Sequence, residues 1–384
     1  MEDLNKKFFR ESLWRVAGIA ILAIIGLLYY YQHIYDFVLF GAAILGIFLL
    51  LKTAIEKLMN SNKIGYEFFI TVGVVLLLFE KQYNAAIIIL IIILIRSLKD
   101  LSLTRTIALI EDEYEYKSSI EYWADKILRW LAPVILFITG LIYILTDNLH
   151  LVLTLLIFIS FPDLGIIISS VKMFARTRAI KERILIPDVE TFDEISEIDT
   201  IIFTQDVLYM DGKQRPELKE VFSSIRQKGK YGIHVLIDDQ QNVEERDELL
   251  KEITSSTIPM NETIFMNNKL MIIGNESDYE TIFPYSHLKF LVGFSGIPHS
   301  EGNTNIISLD NNLKNLATVL SISAMSEKVI KENIFLIIPL YCILAVIAVL
   351  YFDLTIIQTA ILFLVPEALV FLNSIKLLGK KINH

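Results

Sequence analysis

Two proline–acid pairs interrupt long apolar runs: Pro162-Asp163 and Pro366-Glu367. Proline cannot donate the helical backbone hydrogen bond, so Pro162 frees the carbonyl near Phe158, and Pro366 does the same in the last run. Asp163 and Glu367 each lie about 13 residues from the end of the run nearest residues 150 and 354, a depth of about 20 Å at 1.5 Å per residue. An acid at that level costs roughly 2.5–3.5 kcal/mol on insertion scales. If the two face one another, repulsion and desolvation disfavour double ionisation, and they share a proton or bind a cation. The alternative is that each reaches water near one membrane face or caps a broken helix. Cys342 is either a soft ligand to the same site or a buried structural thiol. A second group stands at the ends of strand-like runs: Asp206, Asp239, Asn275 and Asp278. Its acids either hold a weak Mg²⁺ or are solvated loop acids.

The elements that must position these groups are mostly membrane helices. The 384 residues are 54% hydrophobic, with a mean hydropathy of +0.52, which excludes an ordinary soluble domain. Apolar runs near 13–31, 34–52, 64–79, 82–98, 126–146, 150–172, 333–352 and 354–375 predict about eight spans. The links at 32–33, 80–82, 146–148 and 352–353 hold almost no basic residues, whereas Lys6, Arg15, Arg96, Lys99, Lys172, Arg176 and Lys376 crowd the other side. The positive-inside rule then places both termini and the large loop in the cytoplasm. Met1–Arg10 leads into the first span without a small-residue cleavage site, which predicts a retained helix.

Between 175 and 330 the pattern changes. Thr200–Phe203, Ile233–Ile237, Lys269–Ile273 and Lys289–Val292 read as strands, with Glu217–Lys228 and Val243–Ile253 as amphipathic helices between them. That alternation predicts a doubly wound parallel sheet, and 311–332 reads as a helix returning to the membrane. The expected domains are 1–174, 175–330 and 331–384. The net charge is −9, with the acids concentrated in 187–283. One cysteine excludes a disulfide framework. The six histidines show no ligand spacing. Ser295–Gly302 lacks the frame of a phosphate loop. The basic residues follow membrane topology, so nucleic acid is not an expected partner.

The segment Ile201-Ile202-Phe203-Thr204-Gln205-Asp206 through Gly212-Lys213 resembles the phosphorylation segment of P-type cation ATPases, with Thr204 and Gln205 where the nucleophilic aspartate and its lysine stand. Leu103–Glu111, Ala124-Asp125-Lys126, Ala179–Ile186, Arg215-Pro216-Glu217 and Asn373-Ser374-Ile375-Lys376 resemble, in order, further family segments, and the layout is similar to the heavy-metal (type IB) branch. The resemblance implies a haloacid-dehalogenase-like cytoplasmic domain and an ion site on the helix broken at Ser160-Phe161-Pro162-Asp163. It also exposes departures. Residues 99–123 are too few for an actuator domain, and Gln214 alone separates Lys213 from Arg215, where a nucleotide-binding domain belongs. The T-G-D position reads Ile237-Asp238-Asp239, and the hinge reads Gly274-Asn275-Glu276-Ser277-Asp278-Tyr279. Tyr341 and Phe363 stand where zinc-type pumps carry an intramembrane lysine and aspartate.

Phosphoryl transfer needs a nucleophile, carboxylate-held Mg²⁺ and a phosphate-binding group. With these degenerate, the expectation is a truncated pseudoenzyme without a cofactor, acting as an accessory, regulatory or scaffolding subunit linked to metal or small-solute transport. Its expected setting is a bacterial cytoplasmic membrane, with a membrane-protein partner or a second copy. Two alternatives stay open: a passive or proton-coupled cation carrier using Asp163 and Glu367, and a residual metal-transporting ATPase.

Overall fold

A computed structural model of the chain describes residues 2–30, 35–61, 66–110, 119–158, 164–210, 213–227, 231–237, 256–259, 269–275, 288–293, 306–352, 354–362 and 364–379. The chain divides into two compact units. The first holds Met1–Glu113, Ser119–Ser170 and Ile330–Asn373; the second holds Tyr114–Ser118, Val171–Val329 and Ser374–His384.

The first unit is helical: α1 (Glu2–Tyr30), α2 (Asp36–Ser61), α3 (Tyr66–Phe79), α4 (Tyr83–Ile110), α5 (Ser119–Thr146) and α6 (Leu149–Phe158). Among the described residues, four helical stretches are long and apolar enough to cross a membrane: Phe8–Tyr30, Asp36–Glu56, Lys314–Tyr351 and Ile357–Gly379. Tyr66–Phe79 and Pro133–Thr146 are shorter apolar helices. Leu22, Leu39, Ile70, Ile87, Leu90 and Ile93 bury a common core of α1–α4, while Trp14, Leu27, Phe48 and Phe137 point outward. An apolar exterior over a packed interior suits a lipid solvent, and this is an integral membrane protein.

Local chemistry explains where these helices start and stop. Lys81 and Asp147 adopt left-handed φ values of 57° and 47° in the tight α3–α4 and α5–α6 links. Asn148 caps α6, its Oδ1 accepting from the Leu151 backbone N–H at 3.1 Å, as N-terminal caps do. Thr355 and Gln358 cap one another reciprocally. The Thr355 N–H donates to Gln358 Oε1 at 2.9 Å, and the Gln358 N–H donates to Thr355 Oγ1 at 3.3 Å. That box opens a short helix, Ile356–Leu362, and Pro366 stands near the start of the next, Val365–Gly379. The expected run 354–375 is therefore two helices. Within the expected run 150–172 the described residues form α6 and the start of α7 (Leu164–Lys181), and residues 159–163 lie outside the described residues.

The second unit is built on a sheet. Its strands are β1 (Ile184–Leu185), β2 (Thr200–Thr204), β5 (Gly232–Ile237), β6 (Ser256–Pro259), β7 (Leu270–Gly274), β8 (Leu288–Val292) and β9 (Ile306–Ser308). Their spatial order is β1-β9-β8-β7-β2-β5-β6. Every pairing is parallel except β1 with β9. Strand β2 is central, in register with β5 at Ile201↔Ile233 and with β7 at Ile201↔Met271. A separate hairpin pairs β3 (Tyr209–Met210) with β4 (Lys213–Gln214). Helices α8 (Thr191–Glu197) and α9 (Leu218–Gln227) bury Phe192, Ile195, Val221, Phe222 and Ile225 in the core of one sheet face. Phe203 and Phe222 pack with ring centroids 4.9 Å apart, within the range favoured by aromatic pairs. The expected helix 243–253 lies outside the described residues.

Helix α10 (Lys314–Glu332) runs through a π turn at Asn333–Ile337 into α11 (Ile338–Tyr351). Asn333 is fully buried and accepts at Oδ1 from Nδ2 of Asn373 at 2.9 Å. The same amide reaches Oε2 of Glu332 at 3.3 Å. The two helices after Thr355 are α12 (Ile356–Leu362) and α13 (Val365–Gly379).

Candidate functional site

Parallel α/β sheets place their chemistry beyond the carboxyl ends of the central strands. At that end of β2, Thr204 is buried, Gln205 half-buried and Asp206 exposed. The backbone turns at once: Leu208 N–H donates to the Gln205 carbonyl at 3.1 Å, and Arg215 N–H donates to the Leu208 carbonyl at 3.0 Å. Between those bonds lies the β3–β4 hairpin, with Tyr209 opposite Gln214 and Met210 opposite Lys213. The chain thus leaves β2, folds back on itself and enters α9 directly.

Asn275 follows β7 at the neighbouring strand end and is half-buried. Asp239 and Asp278 lie outside the described residues. Among the described residues no cluster of three or more His, Cys, Asp or Glu side chains is arranged to hold a metal.

Arg215, beyond the hairpin, is almost fully buried. Its guanidinium donates to the carbonyl of Asn311 at 2.9 Å and to Asn311 Oδ1 at 2.8 Å, and sits 3.3 Å from Glu217. Asn311 lies against Gly293, where a Cβ would come within 2.8 Å of its Oδ1. Gly293 also has φ +80°, a conformation that favours glycine on its own account. The arginine thus braces two loops.

In the membrane unit, Asp163 lies outside the described residues, so its distance from Glu367 is not part of the described geometry. Glu367 itself is held by two cations: its carboxylate oxygens meet Arg96 Nε and Lys99 Nζ. Arg96 comes from α4, its side chain 1% exposed, and its guanidinium lies 4.1 Å above the Tyr66 ring, a cation–π arrangement. The Tyr66 hydroxyl donates to Asp100 Oδ2 at 2.8 Å, and Lys99 also lies 3.7 Å from Asp100. One residue along α4, Ser97 accepts from Arg15 of α1 at 2.7 Å, and Arg15 also bonds the Ser97 carbonyl at 2.5 Å. The result is a polar layer threaded through α1, α3, α4 and α13. A carboxylate already neutralised by two internal cations is a poor ligand for a third.

Sequence reasoning singled out Glu367 and missed its partner. Arg96 counted as one more residue of the basic membrane face. Yet it stands about 20 Å along α4 from Tyr83 at 1.5 Å per residue, the depth that singled out Glu367 in the last run.

Tyr341 and Cys342 lie on α11, both partly buried, and Cys342 is a free thiol. The Tyr341 hydroxyl donates to the Leu362 carbonyl at 2.7 Å. Leu362 stands one helical turn before Pro366, so its carbonyl is the one whose helical donor the proline lacks. Tyr341 supplies that donor from a neighbouring helix. Tyr341→Phe is expected to cost about 1–2 kcal/mol in unfolding free energy, the net worth of the bond plus the exposed carbonyl. Equal stability of the variant and the wild type in mixed-micelle unfolding would show that the carbonyl finds another donor.

No protein-family model matches the sequence, and no curated protein matches it. Solved structures do. The chain is similar to a zinc-transporting PIB-type ATPase in an E2.Pi state, with a TM-score of 0.66, 10% identity, and coverage of 96% of this chain and 100% of that one. It is also similar to a zinc-transporting PIB-type ATPase in the E2P state, with a TM-score of 0.60, 10% identity and coverage of 95% and 99%. The chain therefore has a P-type-ATPase-like fold. At this identity the likeness establishes the architecture and leaves the chemistry to the residues.

Proposed function

We propose that the chain is a catalytically inactive, P-type-ATPase-derived membrane protein that serves as an accessory, regulatory or scaffolding subunit in metal transport. The observation that carries this reading is the closed path from β2 to α9. Thr204 and Gln205 occupy the strand end, and Gln214, paired with Tyr209 in the β3–β4 hairpin, stands alone between Lys213 and Arg215, where a nucleotide-binding domain would be inserted. Thr204 has no aspartate-like charge, and Gln205 supplies no cation to a phosphate. In this reading the sheet is a haloacid-dehalogenase-like remnant, the helices make about eight spans with cytoplasmic termini, and a bacterial cytoplasmic membrane is the setting. Zinc transport, the activity named for the two similar structures, supplies the metal link.

The experiment is an ATP-hydrolysis and phosphoenzyme assay on the purified, reconstituted protein with Mg²⁺ and Zn²⁺, beside native mass spectrometry of gently solubilised material. Phosphate release at the buffer level and a stoichiometric protein partner are expected. Hydrolysis that disappears in Asp206→Asn would overturn the reading. The carrier alternative needs Glu367 available to an ion, and its pairing with Arg96 and Lys99 weighs against that. Cation uptake into proteoliposomes that is lost on Glu367→Gln would restore it.

A further inference from the structure

Lys172 on α7 is completely buried. Its ammonium lies 2.5 Å from Glu190 Oε2 and 2.5 Å from Asp193 Oδ2. Glu194, the next residue, is 6% exposed, and its Oε2 is buried without a hydrogen-bond partner. One lysine thus faces two acids around the short helix α8, and a third acid, Glu194, is buried next to Asp193. If all three ionise, buried negative charge is left uncompensated, which a low-dielectric interior penalises.

The charges that act on Glu194 are Asp188, Asp193 and Glu197, all of them negative. The turn before α8 contributes Asp188 and Glu190, α8 itself Asp193 and Glu197, and α7 Lys172. From α10, Ser323 donates to the Phe192 carbonyl at 2.8 Å, while Glu327 acts on Tyr231. Strand β8 presents Leu288 and Phe290 to this face, while Lys289 alternates to the opposite face with Leu291. We propose that this α7–α8 joint is a proton-controlled latch, in which Glu194 carries one exchangeable proton beside the Lys172–Glu190–Asp193 cluster and its release loosens α8 from α7. The proposal is independent of whether the chain is a pseudoenzyme.

Burial first, and then the charges of Asp188, Asp193 and Glu197, push the Glu194 carboxyl from its ordinary 4.5 up to about 7. The sign follows from linkage. An acid that binds its proton more tightly in the folded state leaves stability intact below about 4.5 and removes it as pH rises through about 7.

Hydrogen exchange of the full-length protein in nanodiscs tests this, with protection corrected for intrinsic exchange. The 191–197 backbone is expected to lose about tenfold in protection between about pH 5.5 and about pH 8, a loss that Glu194→Gln abolishes. Glu197→Gln removes one repelling charge, so it is expected to keep the loss but shift its midpoint to lower pH. Flat protection in the wild type overturns the latch, as does a loss that persists in Glu194→Gln. A loss that vanishes in Glu197→Gln as well overturns the assignment to Glu194.

Discussion

Arg96→Met is expected to destabilise the membrane unit by about 3–5 kcal/mol, because it removes one partner of a buried ion pair and leaves the other charge in place. Glu367 keeps Lys99, but that side chain is 47% exposed and partly hydrated. The loss therefore falls toward the lower end of the range. The substitution also removes the guanidinium from the face of Tyr66. A cation–π contact of that kind is worth about 0.5–1 kcal/mol when exposed and more when desolvated. The double variant Arg96→Met, Glu367→Gln tests the cause. Replacing both charges by neutral groups of similar volume is far milder than orphaning one, so the double variant is expected to recover more than half of the loss. Equilibrium unfolding in mixed micelles measures both. A double variant as unstable as Arg96→Met alone would mean that Arg96 acts through packing and not through charge.

The second large effect belongs to Lys172→Met, also about 3–5 kcal/mol at neutral pH. Here the orphaned groups are Glu190 and Asp193, and both lose their counter-ion together. The pH dependence distinguishes this from a packing defect. Acidification neutralises the stranded carboxylates, so the deficit relative to wild type is expected to shrink between neutral and acid pH. A deficit of constant size across that range, read from denaturant unfolding, would assign the damage to lost volume.

Much of the sheet was legible because its strands obey simple rules. The expected strands Thr200–Phe203, Ile233–Ile237, Lys269–Ile273 and Lys289–Val292 lie within one residue of the observed bounds. Buried parallel strands are short, continuous apolar runs, and their length and flanking turns separate them from buried helix segments. The helix expected over Glu217–Lys228 is Leu218–Gln227. What hydropathy could not resolve was where an apolar run breaks. Ile356–Leu362 and Val365–Gly379 lie in one apolar run, and only Pro366 hints at the turn at Leu364 between them.

The ion pairs were less legible than the strands. An arginine deep inside a helix and a lysine at its polar end look alike to a rule that counts basic residues on each side. Lys172 was hidden in the same way. Its burial depends on Glu190 and Asp193, which come much later in the chain, beyond the reach of any helical spacing. Asp206, by contrast, was read from the strand end, and it is exposed there.

The π turn at Asn333–Ile337 closes its hydrogen bonds one residue later than an α-helix does. Ile330, Ile334 and Ile338, each four positions from the last, are all buried along it. In an ideal α-helix that spacing would swing the third side chain about 80° away from the first. The wider turn takes more residues per revolution and opposes that drift, so the three isoleucines stay close to one line. The phase in which α11 begins is therefore set at the turn, and Tyr341 inherits it. Asn373, which holds Asn333 in place, belongs to α13, the helix whose Pro366 leaves the Leu362 carbonyl without its own donor. That helix thus both creates the vacancy and grips the turn that aims the replacement hydroxyl at it.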